Sequence, residues 1–216
     1  MNFTGFSNED FQVFQIPGLD ARMEAIKRLV RPKLEFLGKY FAPTLSTLTG
    51  DEMHYHVAKH ARRTINPPND TWVAFSSSKR GYKKLPHFQI GLWETHLFIW
   101  FAVINEAPNK DQIGASFQNE ISAIRKRIPS HFVWSDDHTK PNAIQSNELS
   151  DQQLVQLFER LQFVKKAEAL CGLHISKDEA VHLNSTDLLN TIEDVFVQLI
   201  PLYKLAYRQM AISPDK

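Results

Sequence analysis

Residues 87–104 read HFQIGLWETHLFIWFAVI, and the side-chain period of this stretch decides the fold. Phe88, Ile90 and Leu92 alternate with His87, Gln89 and Gly91, the period of two expected of a strand with one apolar and one polar face. After Trp93 and Glu94 the alternation resumes with both faces apolar, His96, Phe98, Trp100, Ala102 and Ile104 against Leu97, Ile99, Phe101 and Val103. A strand of that kind sits in the middle of a sheet, covered on both sides. Its apolar run, Leu97 to Ile104, is the longest in the chain at eight residues. A membrane span needs about 18.

Two more β-rich runs precede this pair, MHYHVAKHA at 53–61 and TWVAFSS at 71–77. The connections NPPND and SKRGYKKLP carry the Pro, Gly and Asn that turns require. Strands so close in sequence pair most simply as an antiparallel meander. Helices flank it. Met23, Ile26, Val30, Leu34, Leu37, Phe41 and Leu45 recur every three or four residues and predict a helix over 19–47, with a break or kink at Pro32. Ile113, Phe117, Ile121, Ile124 and Ile128 mark a second, opened by Asn109 and ended by Pro129. Ser150 and Gln153 form a capping box for a third, and a fourth runs over 185–208 with a bend predicted at Pro201. Short strands are predicted at 131–135 and 166–175, the latter hiding Cys171 beside Ala169 and Leu173. The expected architecture is α+β: one domain over 1–216, a central four-stranded meander with one or two further strands, packed with about four helices.

Composition narrows the function classes. Hydrophobic residues at 43% and charged residues at 23% belong to an ordinary globular chain. The opening MNFTGFSNEDF shows no leader-like pattern, and one cysteine cannot make an internal disulfide, so a cytoplasmic location is expected. Charge is unevenly spread. Residues 54–90 hold Lys59, Arg62, Arg63, Lys79, Arg80, Lys83 and Lys84 against one acid, Asp70, although the whole chain is only +1.

On a strand running through 53–61, His54, His56, Ala58 and His60 share a face, continued by Arg62. If the polar face of the third run lies on the same side, His87 and Gln89 join His56 and His60, and the small Ala58 and Gly91 leave room for a ligand. Lys59, Arg62, Arg63, Arg80, Lys83 and Lys84 would supply donors for phosphate or carboxylate, and Tyr82 a ring for stacking. The bland alternative is a solvated basic surface. A histidine metal site is not favoured, because the surroundings are positive and no carboxylate in the strand completes the set. Nucleic acid is a partner the near-neutral net charge disfavours, and Trp72 reads as core. No cofactor is indicated. The reading is therefore a small anionic ligand on a His/Arg/Lys-rich face. The alternatives are an enzyme using His56, His60 or His87 as general acid or base, or a module docking an acidic protein or nucleic acid.

The segments IPGLDARMEAIKRLVRPKLEFLG, HVAKHARRTINPPNDTWVAF and KRGYKKLPHFQIGLW resemble the YktB-like family of uncharacterised proteins from Gram-positive bacteria. The resemblance spans nearly the whole chain and is densest at 56–93. It implies an α+β domain and brings no activity, substrate or cofactor. By position it takes in His56, Lys59, His60, Arg62, Arg63, Arg80, Lys83, Lys84, His87 and Gln89, and leaves His54 outside.

Overall fold

A computed structural model describes residues 3–211. The meander is present as β1 (His54–Val57), β2 (Asp70–Ser76), β3 (His87–Trp93) and β4 (His96–Val103). Beyond it lie β5 (Val133–Ser135), β6 (Ile144–Gln145) and β7 (Ala169–Ser176), three further strands where one or two were expected. The sheet runs β1-β2-β3-β4-β7-β5-β6, with every pairing antiparallel. β4 lies at its centre and is buried along its whole length, as its two apolar faces require.

The four predicted helical segments are each present, two of them broken. The first comprises α2 (Leu19–Ala25), a π-helical turn over Ile26–Val30, and α3 (Arg31–Thr49). Pro32 has no N–H for the carbonyl four residues back, so the chain widens by one residue and restarts with Pro32 in its first turn. The second divides at Glu120 into α4 (Lys110–Asn119) and α5 (Ile121–Arg127), and Asn109 occupies the N-cap without a side-chain capping bond. The third, α6 (Asp151–Phe163), starts as predicted: Ser150 Oγ accepts from Gln153 N at 3.2 Å, and Gln153 Oε1 accepts from Ser150 N at 2.8 Å. The fourth, α8 (Ser185–Ala211), is the longest and contains Pro201. Short helices α1 (Asn8–Gln12) and α7 (Lys177–Ala180) complete the set.

Register assigns the two faces. One carries Val73, Phe75, Phe88, Ile90, Ile99, Phe101 and Cys171, all within the main core with Leu37 and Phe41 of α3, Phe117 of α4, Phe158 of α6 and Phe196 of α8. Phe196 alone meets the rings of Phe41, Phe75 and Phe88 at 5.4–5.8 Å. At about 25 cal/mol per Å² of apolar surface removed from water, this side supplies most of the driving force for folding. The other face has a smaller cluster, among it Trp93, Phe98, Trp100, Ala102, Ile104 and Leu170. Loops rather than long helices meet its polar members, and the site lies there.

Candidate functional site

His56 stands opposite Ala74, Ala74 opposite Gln89, and Gln89 opposite Trp100, so His56 and Gln89 share the loop-covered face as the alternation required. Three features differ from the sequence reading. β1 ends at Val57: Ala58 N still donates to Trp72 O at 2.9 Å, but His60 then takes a left-handed backbone (φ 51°) and Arg63 N closes a turn on His60 O at 3.0 Å. Lys59, His60, Arg62 and Arg63 therefore reach the site from a turn and not from a strand face. The polar face of β3 is also not an open floor, because His87 is 0% and Gln89 4% exposed. Finally, Gly91 leaves no room for a ligand. A Cβ there would overlap Phe98 and lie 2.6 Å from both Thr71 O and Trp72 Cβ, so its neighbours already fill that space.

The cover over His87 and Gln89 is the 77–86 hairpin. Ser76 Oγ donates to Gly81 O at 3.2 Å, and Leu85 N donates to Tyr82 O at 3.0 Å, which folds the loop back over the sheet. Tyr82 is set between the rings of His87 (4.8 Å) and His56 (6.0 Å), and its hydroxyl accepts the Trp72 indole N–H at 3.0 Å. Burial pushes this phenol up to about 12, so it serves only as a neutral hydrogen-bonding group.

Tyr82 and Lys83 separate two cavities and line both. The first, about 380 Å³, is bounded by Lys59, His60, Arg62, Arg63, Trp72, Gln89 and Ile104, and by His138 from the loop after β5. No carboxylate lines it. Trp72, read from sequence as core, is partly buried there and packs against the smaller cluster. The second, about 710 Å³, is bounded by His56, Arg80, Lys84 and the hairpin backbone. Ten of the eleven residues picked from sequence thus line one cavity or the other, and only His87 lies beneath. Tyr82 divides what sequence predicted as a single floor.

The histidines differ in what they can do. His87 donates through Nδ1 to Leu85 O at 2.7 Å, leaving Nε2 to accept from the Gln89 amide at 2.9 Å; burial lowers it to about 4. With both nitrogens engaged, it has no acid or base role to play. His60 Nε2 meets Thr71 Oγ1 at 3.2 Å, and burial, with Arg63 and Arg31 nearby, lowers it to about 4. His56 Nε2 donates to Ser78 O at 2.8 Å, while His54 approaches Glu52 at 3.8 Å. Each facing its own neighbours, these four imidazoles do not converge on a metal.

His138 and Glu168 were not legible from sequence. Glu168 is 2% exposed, and its carboxylate accepts from Asn105 N (3.2 Å), His138 N (2.8 Å) and His138 Nδ1 (2.6 Å). Burial alone would lower His138, but the Glu168 hydrogen bond and charge, reinforced by Asp70 and Glu106, outweigh it and raise His138 above the ordinary imidazole value. The only sequence signal was one acid wedged between Ala167 and Ala169. Asp137, His138 and Glu168 bring one donor atom each within 4.8 Å of one another. Their hydrogen bonds account for them, since Asp137 Oδ1 accepts from Thr139 N (2.9 Å) and Thr139 Oγ1 (2.6 Å) and its Oδ2 pairs with Lys140 (3.0 Å). Nothing in this set is left wanting a cation.

Fold and site together define an α+β protein built on one antiparallel sheet, with a basic, acid-free cavity under the loops of one face. The chain belongs to the family described as "Domain of unknown function (DUF1054)", which matches residues 6–203. It is 58% identical over 203 residues to a UPF0637 protein of Bacillus velezensis, covering 94% of this chain and 97% of that one. A UPF0637 protein of Bacillus licheniformis is 57% identical over 208 residues (96% and 99%), and one of Bacillus thuringiensis 50% over 208 residues (96% and 100%). The resemblance carried by the segments at 16–38 and 56–93 thus holds across the chain. Among the described residues, no helix is long and apolar enough to cross a membrane.

Proposed function

We propose that the protein binds a small molecule bearing phosphate or carboxylate in the cavity of about 380 Å³. One observation carries this: the walls present Lys59, Arg62 and Arg63, with Lys83 paired to Glu106 at 2.9 Å and no acid among the lining residues, around an aromatic and amide floor of Trp72, Tyr82 and Gln89. Arg supplies forked donors for an oxyanion, and a partly desolvated cavity strengthens them. The second cavity is the weaker candidate, because its imidazole is already bonded to the hairpin's own Ser78 carbonyl. A lone buried Cys171 fits a cytoplasmic setting for this role.

The test is a thermal-shift screen of phosphate, sulfate, citrate, nucleotides and oligonucleotides, repeated for hits with Arg63→Ala and Arg80→Ala at two salt concentrations. Losing a charge-assisted hydrogen bond to an oxyanion costs about 1.5–3 kcal/mol, roughly ten- to a hundredfold in affinity. Arg63→Ala should show that loss and Arg80→Ala should not. If no anion stabilises the protein, or both variants bind like the parent, the patch is solvated surface. A steep salt slope with oligonucleotides alone would make nucleic acid the ligand.

A further inference from the structure

The cavity contains one ring nitrogen that its surroundings prepare for a ligand. His138 lines the wall, and its Nδ1 is held at 2.6 Å by an almost fully buried carboxylate, Glu168, that is itself fixed by two backbone N–H groups. A carboxylate so placed keeps the proton on Nδ1 and leaves Nε2, on the other side of the ring, to meet whatever enters. Resting on the anion-site reading above, we propose that His138 is the proton-exchanging group of this cavity: Nε2 takes up one proton from solvent as an oxyanion binds and keeps it, as the donor of a hydrogen bond to a ligand oxygen.

The balance of charge around the ring supports this. Facing His138 are Glu168 ahead of β7, Asp70 on β2 and Glu106 after β4, all favouring the imidazolium. Arg63 of the 58–69 turn shares the cavity and favours an anion beside it, whereas Lys83 of the hairpin is already paired with Glu106 at 2.9 Å. His60 and His87 are held neutral near pH 7 by burial and add no competing titration there. With Nε2 deprotonated, a lone pair faces the cavity and repels an oxyanion. With Nε2 protonated, the same atom is a donor, and the charge on the ring is balanced by Glu168. Binding and protonation are thus coupled through a single atom.

Sulfate is the probe, because it is a dianion that does not titrate near neutrality. Calorimetry in buffers of different ionisation enthalpy, over pH 6 to 9, should show proton uptake rising toward one per sulfate, with affinity falling by about tenfold per pH unit above the His138 titration. His138→Gln should bind without proton uptake and with a flat pH profile, and His182→Gln, at an exposed imidazole outside the cavity, should behave as the parent. An imidazole NMR titration of the parent, independent of any variant's folding, should show Nδ1 protonated throughout and Nε2 titrating, with its midpoint moved upward by sulfate. Sulfate binding with no proton linkage, or with linkage retained in His138→Gln, overturns this inference and leaves the anion site standing. No saturable sulfate binding removes both.

Discussion

The indole N–H of Trp72 and the hydroxyl of Tyr82 meet at 3.0 Å, tying the sheet to the hairpin that covers it. This bond makes Tyr82 a wall of both cavities rather than a loose loop residue.

Tyr82→Phe leaves the indole donor unpaired but keeps the ring. A loss of about 1 kcal/mol is expected, toward the low end for an unmade hydrogen bond because Trp72 is partly solvated. Urea unfolding should register it, and amide exchange should quicken over 77–85 with β4 unchanged. Unaltered exchange there would show that the ring alone holds the hairpin.

Acid should destabilise the protein above the ordinary carboxylate range. His60, His87 and His96 are lowered to about 4 and His174 to about 3, chiefly by burial. His96 and His174 stack at 3.9 Å, and each leaves a buried Nε2 without a partner. A histidine whose folded value lies below its unfolded one binds more protons unfolded, so stability falls as pH drops below about 6.5. For His87 alone the loss by pH 4 is on the order of 3 kcal/mol. Asp70, raised to about 6 by burial, works in the opposite sense, as does His138, but two groups oppose four. Urea midpoints between pH 8 and pH 4 should decline, and His96→Gln should flatten the slope. A level profile would contradict the burial of these rings.

Gly172 is irreplaceable for a steric reason. A Cβ there would overlap the Ile99 carbonyl oxygen, a backbone atom of the central strand that cannot move aside. Gly172→Ala should cost at least about 3 kcal/mol or yield no soluble protein. Gly50→Ala, at the left-handed C-cap of α3 (φ 86°) with nothing nearby, should cost only about 1 kcal/mol. Equal midpoints for the two variants in denaturant would refute this ranking.

Cys171 pairs with Phe101 at the sheet centre, is 0% exposed, and has its thiol pushed well up by burial. Native protein should react with a thiol reagent only at the rate of unfolding, and at once in denaturant. Rapid native labelling would place this strand elsewhere.

The strands could be read because each run kept a period of two in side-chain character, and because the runs follow one another closely in sequence. The capping box of α6 could be read because both partners lie within four residues. The shape of the site could not. Alternation in HVAKHA continues in the sequence past Val57, whereas the chain itself turns at His60, and a side-chain pattern does not carry a φ angle. The polar face of β3 looked solvent-facing because composition cannot tell a wetted histidine from one satisfied at both nitrogens under a tyrosine. His138 and Glu168 meet across 30 residues, a distance at which no local signal survives.

The sheet has large side chains under helices on one face and a smaller cluster with polar groups under loops on the other. If the proposed anion site holds, the determinants of folding and the determinants of recognition are nearly orthogonal in this molecule. Substitutions in the 58–69 turn and the 77–86 hairpin can retune what enters the cavity while the scaffold persists, so selection for a new ligand could proceed along the loop face with little risk to the fold.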